Sequence, residues 1–318
     1  MGHPRIGLAG WYGYGNVGDD LLLGLLMERL RPAAVFSTRA GEWRDVRIHD
    51  VADLGSWSER IDLLVIGGGG LLNERWLRKL PLSSFEGAYG LLSVGIPHRR
   101  WLEGLEPLLS RARFVTVRDH VALHDIRDAY PGVEAWWLPD PAFMLPRLVR
   151  PREDRLLLNP RAIASPWLRE DDPDDAVERV VETFAGLAEA LEHRGPVLAV
   201  GFEEADRELL ARLPYEHRIV VEREAVELIA TSAALVTSRL HGAIIAATQG
   251  TPVVLVDYQD KMRGVAQMLG APVLRFAELG DLAKSVDKLL DDAAAPPDVT
   301  RPAAYGALTA RVLNFLTR

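Results

Sequence analysis

The residues best suited to chemistry lie in Thr237-Ser238-Arg239-Leu240-His241-Gly242, between a short apolar run and a helical stretch rich in small residues. Arginine offers a fork of donors that suits phosphate or carboxylate. Histidine can move a proton near neutral pH. Backbone N–H groups at a helix start add further positive potential. Asp257-Tyr258-Gln259-Asp260-Lys261 follows the next apolar run, and Asn159-Pro160-Arg161 ends an earlier one. Three cations (Arg161, Arg239, Lys261) and the imidazole of His241, all at strand ends of one domain, describe a site for a small, multiply charged anion.

The first half of the chain carries glycine-rich turns. Gly13-Tyr14-Gly15-Asn16-Val17-Gly18 has the G-x-G-x-x-G spacing of a dinucleotide fingerprint. However, Asp19 and Asp20 follow at once, where they suit a helix dipole but repel a pyrophosphate. The acidic residue expected after the second strand is replaced by Thr38-Arg39. The turn therefore reads as a structural turn or as part of another substrate site. Gly67-Gly68-Gly69-Gly70 permits close backbone approach to a ligand, with Leu71, Leu72, Asn73 and Glu74 after it. Arg118-Asp119 reads as a cleft pair or a buried ion pair. Asp140-Pro141-Ala142-Phe143 reads as a hinge-shaping segment. His120 and His124 lack a third metal ligand, and no G-x-S-x-G elbow or phosphate-binding P-loop occurs.

The elements that must hold these turns alternate: short apolar strand, turn, amphipathic helix. Continuous apolar runs such as Arg5–Ala9, Leu63–Ile66 and Val253–Val256 suit strands buried on both faces of a parallel sheet. The pattern breaks around Trp137–Arg155, which holds four prolines. This predicts two Rossmann-like α/β domains facing a cleft, over 1–148 and 149–302. A final amphipathic helix, Ala303–Leu316 within 303–318, is expected to cross back to the first domain.

Composition narrows the class. The chain has 318 residues, 48% apolar and 26% charged, as in a globular protein. Its 37 basic and 45 acidic residues give a net charge of −8, which argues against nucleic-acid binding. There is no cysteine, hence no disulfide and no thiolate chemistry. No secretory signal and no membrane-spanning apolar run is read, so a cytoplasmic protein without an integral membrane segment is expected.

Taken in order, Gly10–Asp20, Gly67–Glu74, Val117–Asp119, Asp140–Phe143, Ser238–Gly242 and Asp257–Lys261 resemble the polysaccharide pyruvyl transferase family. The resemblance implies a glycosyltransferase-B-like fold and transfer of pyruvate from phosphoenolpyruvate to a sugar, usually as a ketal. It implies a phosphoenolpyruvate site of Arg161, Arg239, Leu240, His241 and Lys261, on the second domain. His241 would be the general acid or a donor to the departing phosphate, with Arg239 beside it. Asp19, Asp20 or Glu74 would accept the sugar proton. The acceptor site would draw on Tyr14, Asn16, Asp19, Asp20, Gly69, Gly70, Asn73, Glu74 and Arg118, with Trp11, Tyr12, Tyr14 or Trp76 as aromatic walls. No metal or cofactor is required beyond phosphoenolpyruvate as donor substrate. The acceptor would be a saccharide or lipid-linked saccharide, which is compatible with peripheral membrane contact. Three other readings compete. They are a nucleotide-sugar glycosyltransferase of the same architecture, an NADP-dependent oxidoreductase, and an anion- or carbohydrate-binding protein without turnover.

Overall fold

Short apolar runs bounded by glycine become the buried strands of two parallel sheets. The computed structural model describes residues 3–73, 76, 79–97, 99–162, 176–257, 260–275, 288, 290, 291 and 299–317. The chain divides into two units. One comprises Met1–Tyr14, Asp19–Met144 and Ala304–Arg318, and the other Gly15–Gly18 and Leu145–Ala303. The chain passes between them at Met144/Leu145, four residues before the sequence-based division, and Gly15–Gly18 groups with the second unit.

The first unit holds β1 (Ile6–Ala9), β2 (Ala34–Ser37), β3 (Gly41–Trp43), β4 (Val46–Asp50), β5 (Leu63–Gly67), β6 (Ala88–Val94), β7 (Val115–Val117) and β8 (Ala135–Trp137). Their order in the sheet is β3-β4-β2-β1-β5-β6-β7-β8. Every pair is parallel except the β3/β4 hairpin. The hairpin is a departure from the sequence reading. Its Gly-Glu-Trp and Val-Arg-Ile-His-Asp segments are half polar, because an edge ribbon is not buried on both faces. Helices α1 (Val17–Leu30), α2 (Glu106–Arg111) and α3 (His120–Ala129) connect the strands. The stretch Trp101–Ser110, which as sequence reads as one helix, is instead a 3₁₀ turn at Arg99–Leu102 followed by α2. Gly104, at φ +76°, and Pro107 in the first turn of α2 separate the two.

The second unit holds β9 (Glu153–Asn159), β10 (Val197–Gly201), β11 (Glu216–Ile219), β12 (Ser232–Thr237), β13 (Val253–Asp257) and β14 (Val273–Arg275). They form an all-parallel sheet in the order β11-β10-β9-β12-β13-β14. Its helices are α4 (Ala176–Leu191), α5 (Arg207–Leu210), α6 (Glu222–Thr231), α7 (Leu240–Gln249) and α8 (Asp260–Leu269). The stretch Leu279–Asp292, which as sequence reads as a helix, falls almost wholly outside the described residues.

The last helix, α9 (Thr300–Leu316), counts with the first unit from Ala304 onward. Within that unit, Thr309 donates to the Pro139 carbonyl at 3.0 Å, and Tyr305 meets Trp137 and Phe143 edge-on. Gly306 lets the helix approach closely: a Cβ there would sit 2.3 Å from the Phe143 carbonyl oxygen. Among the described residues, no helix is long and apolar enough to cross a membrane.

Candidate functional site

In the second sheet the winding direction reverses between β9 and β12. Open α/β sheets bind ligands outside the carboxyl ends of strands at such a point. The chain leaves β9 through Asn159-Pro160-Arg161 and β12 through Ser238-Arg239, directly into α7. The two exits are bolted together. Thr237 donates its hydroxyl to Asn159 Oδ1 at 2.9 Å, Asn159 Nδ2 donates to the Val200 carbonyl at 2.8 Å, and the Arg239 amide donates to Thr237 Oγ1 at 2.9 Å. Gly242 makes this packing possible, since a Cβ would lie 2.7 Å from both Asn159 Oδ1 and Thr237 Oγ1.

Arg239 is only 4% exposed, so its charge needs partners inside the protein. It pairs with Asp206 and, at 2.7 Å, with Glu203. Asp206 is itself fully buried, and it also accepts from the Phe202 amide at 2.9 Å and the Ala162 amide at 3.0 Å. It thus ties the ends of β9, β10 and β12 together. Burial pushes the Glu203 carboxyl up. The charges of Arg239 and Arg161 and hydrogen bonds from Arg239 and Asn16 outweigh this and hold it below the ordinary carboxylate range. Sequence reasoning did not single out Glu203 or Asp206. The available signal was their place just beyond β10, at a strand carboxyl end like the arginines.

Two buried polar atoms at the start of α7, Ser238 Oγ and Arg239 Nε, have no hydrogen-bond partner among the described residues. No side chain caps α7 at Arg239. His241 lies in the first turn of α7, against Gly18 of the Gly15–Gly18 segment. There Val17 donates its amide to the Phe202 carbonyl at 2.8 Å, and Asn16 Nδ2 donates to Glu203 Oε2 at 3.1 Å. Lys261 lies in the first turn of α8. At the end of β13, Asp257 is buried and pairs with Arg263 at 2.6 Å.

The first unit assembles its own glycine-rich turns at the corresponding reversal, between β1 and β5. Gly68 and Gly69 both take φ +73°. A Cβ on Gly69 would lie 2.7 Å from Asp19 Oδ1, so the Asp19 carboxylate rests on that backbone. Asp20 is buried and accepts the Gly13 amide at 2.8 Å, which pins the first turn. Asn73 Nδ2 donates to the Gly70 carbonyl, while its Oδ1 accepts the Trp76 amide at 2.9 Å, so Asn73 organises its own turn. Trp11 stacks on Tyr14, whose hydroxyl meets Thr38 Oγ1 at 2.8 Å. Tyr12 and Trp76 are core residues, not walls of a ligand site, because each is buried to 2% exposure. Burial, with Asp19 and Asp140 nearby, keeps the Tyr12 hydroxyl well above the usual tyrosine range, and it donates to the Gly67 carbonyl. Arg118 pairs with Asp140 at 3.4 Å rather than with Asp119. Asp119 caps α3 by accepting the Ala122 amide at 2.8 Å. Glu74 lies outside the described residues.

Two doubly wound parallel sheets define a glycosyltransferase-B-like protein. The chain resembles UDP-GlcNAc 2-epimerase from Methanocaldococcus jannaschii, with a TM-score of 0.66 and 12% identity over 98% of this chain and 99% of that one. It also resembles the Neisseria meningitidis UDP-GlcNAc 2-epimerase, at TM-score 0.65 and 9% identity over 98% of each chain. The glycosyltransferase SnogD of Streptomyces nogalater aligns at TM-score 0.54 and 16% identity over 99% of each chain. At these identities the likeness concerns the fold alone. No curated protein matches the chain. The model of the polysaccharide pyruvyl transferase family matches residues 16–260. The chain belongs to that family, and its general role is therefore that of a transferase in polysaccharide pyruvylation.

Proposed function

We propose that the protein transfers the pyruvyl group of phosphoenolpyruvate to a pair of hydroxyls on a saccharide or lipid-linked saccharide, forming a ketal and releasing inorganic phosphate. The observation that supports this reading is a pair of buried polar atoms, Ser238 Oγ and Arg239 Nε, that have no hydrogen-bond partner among the described residues and lie at the start of α7, where Arg239 provides no side-chain cap. With Arg161 near Glu203 and Lys261 on α8, they offer hydrogen-bond donors and positive charge to a compact anion bearing a phosphate and a carboxylate. Leu240 contributes its place in the first turn of α7.

The chemistry needs a proton on the enol methylene, which leaves positive character at C2. One sugar hydroxyl adds to C2, the C2–O bond to phosphate breaks, and the second hydroxyl closes the ketal. Of the two hydroxyl protons, one replaces that given to the methylene and the other departs with phosphate. His241 is the group proposed to deliver the methylene proton or to hydrogen-bond the leaving phosphate. Arg239 shares its charge with Asp206 and Glu203, so it orients donors toward the anion more than it neutralises it. Asp19 is the described carboxylate proposed to accept a hydroxyl proton, and Glu74 is its alternative.

The test is a calorimetric titration with phosphoenolpyruvate, run beside UDP-sugars, on the wild type and Arg161→Gln. Saturable phosphoenolpyruvate binding weakened in the variant supports the reading. UDP-sugar binding without phosphoenolpyruvate binding moves the protein to the nucleotide-sugar transferases whose fold it shares. Turnover unchanged in His241→Ala would remove the catalytic role of that histidine.

A further inference from the structure

The amino ends of β9, β12 and β13 lie on the edge of the second sheet away from Asn159, Ser238 and His241. Here a cavity of about 250 Å³ is bordered by Arg147, Arg150 and Arg152, with Val149 beside them and Ala230 and Gln249 behind. Three guanidinium groups within six residues is an unusual density in a chain of net charge −8. Neighbouring arginines in the same unit are matched to acids: Arg155 to Glu153, Arg212 to Glu178, Arg218 to Glu224 and Arg223 to Glu227. Among the described residues, no carboxylate pairs with Arg147, Arg150 or Arg152.

The segment is also held in place. The Gln249 side chain is 2% exposed; its Oε1 accepts the Leu148 amide at 2.8 Å and its Nε2 donates to the Pro146 carbonyl at 3.1 Å. Arg152 donates to the Gly250 carbonyl. Arg147 Nη2 lies 3.0 Å from where a Cβ on Gly250 would sit, so both guanidiniums converge on one residue. Burial and the nearby charge of Arg147 both press the Arg152 guanidinium toward a lower pKa, a cost that a bound anion would relieve. The carboxyl end of α7 attracts cations, which accounts for Arg152 and Arg147 in part. It does not account for Arg150.

We propose that this cavity binds a phosphate-bearing anion at a site separate from the one at the strand carboxyl ends. Planar forks of donors without acidic partners suit phosphate oxygens. The volume is below the roughly 300–1,000 Å³ of clefts that enclose whole small molecules, so the charged group enters and the rest of the ligand stays outside. Two sources share that chemistry: a soluble phosphorylated compound and the headgroup of an anionic phospholipid. Val149, 88% exposed among the arginines, lies where a lipid surface would meet it.

The experiment compares the full-length wild type with Arg150→Glu and Arg147→Gln. Among the described residues the exposed Arg150 side chain makes no hydrogen bond or ion pair, and an anion held at the strand carboxyl ends is common to all three proteins and cancels. One arm titrates inorganic phosphate and pyrophosphate by calorimetry at constant ionic strength. The other measures co-sedimentation with phosphatidylcholine vesicles with and without about one fifth phosphatidylglycerol. Charge reversal at Arg150 is expected to weaken binding about ten-fold in one arm. A loss of about three-fold or more in either arm supports the site, and the responding arm tells the soluble compound from the lipid headgroup. Smaller losses in both arms, or no binding by the wild type in either, overturn the proposal and leave the arginines as neutralisers of helix carboxyl ends.

Discussion

The imidazole of His241 lies directly on the backbone of Gly18: a Cβ at position 18 would fall 1.9 Å from Nδ1. The absence of a side chain at one residue thus determines where the proposed acid of another can stand. Gly18→Ala adds a good helix former in the first turn of α1, so helix propensity alone favours the variant by up to about 1 kcal/mol. The methyl group nevertheless must push the imidazole aside. We expect pyruvyl transfer to fall about 100-fold with a melting temperature close to wild type. Steady-state kinetics beside circular dichroism checks this, and an unchanged rate would mean that His241 need not stand where it does.

Asp206 should be a stability residue first. It accepts three backbone amides, those of Ala162, Phe202 and Glu203, and faces Arg239 in full burial. Asp206→Ala leaves a buried guanidinium with one acid fewer, and the expected loss is about 3–5 kcal/mol in urea unfolding. A loss under about 1 kcal/mol, the scale of an exposed pair, would show that Glu203 alone suffices for Arg239.

Glu203 predicts a pH dependence. Its carboxyl is held below the ordinary value in the folded protein. The associated stability is therefore fully present above the unfolded value, about 4.3, and is lost as pH falls through the lower folded value. Glu203→Gln should be less stable than wild type at pH 7, with the gap closing below about pH 4. A gap independent of pH would assign the effect to packing instead of charge.

On the first unit, Gly69→Ala combines a left-handed backbone angle with a Cβ only 2.7 Å from Asp19 Oδ1. The backbone cost is about 1–2 kcal/mol, and the carboxylate must move. If Asp19 accepts the sugar proton, kcat should fall by more than this stability loss explains. An unaffected kcat in a folded Gly69→Ala protein would argue against Asp19 in that role.

The docking of α9 is testable through Thr309 and Gly306. Thr309→Val removes the bond to the Pro139 carbonyl at nearly constant volume and should cost about 1–2 kcal/mol in thermal or denaturant unfolding. Gly306→Val should cost more, because its Cβ meets the Phe143 carbonyl, a backbone atom that cannot step aside. Equal effects from both would show that the hydrogen bond, not the close approach, anchors the helix.

Much of this molecule is legible along the chain. Strands buried on both faces must be continuous apolar runs, so the alternation of strand and helix and the parallel class follow from hydrophobicity alone. Turns at strand ends concentrate glycine, arginine and histidine because ligand sites need close backbone approach and polar groups, and Arg161, Arg239 and His241 stand out for that reason. What periodicity does not carry is which distant residues meet. That Arg239 faces Asp206 and Glu203, that Arg118 takes Asp140 over its neighbour Asp119, and that His241 needs Gly18 are consequences of strand order and register. A charged side chain in sequence has only a type. Its partner, and with it its burial and its pKa, are settled when the sheet brings separate strand ends together and excludes water from the charges between them.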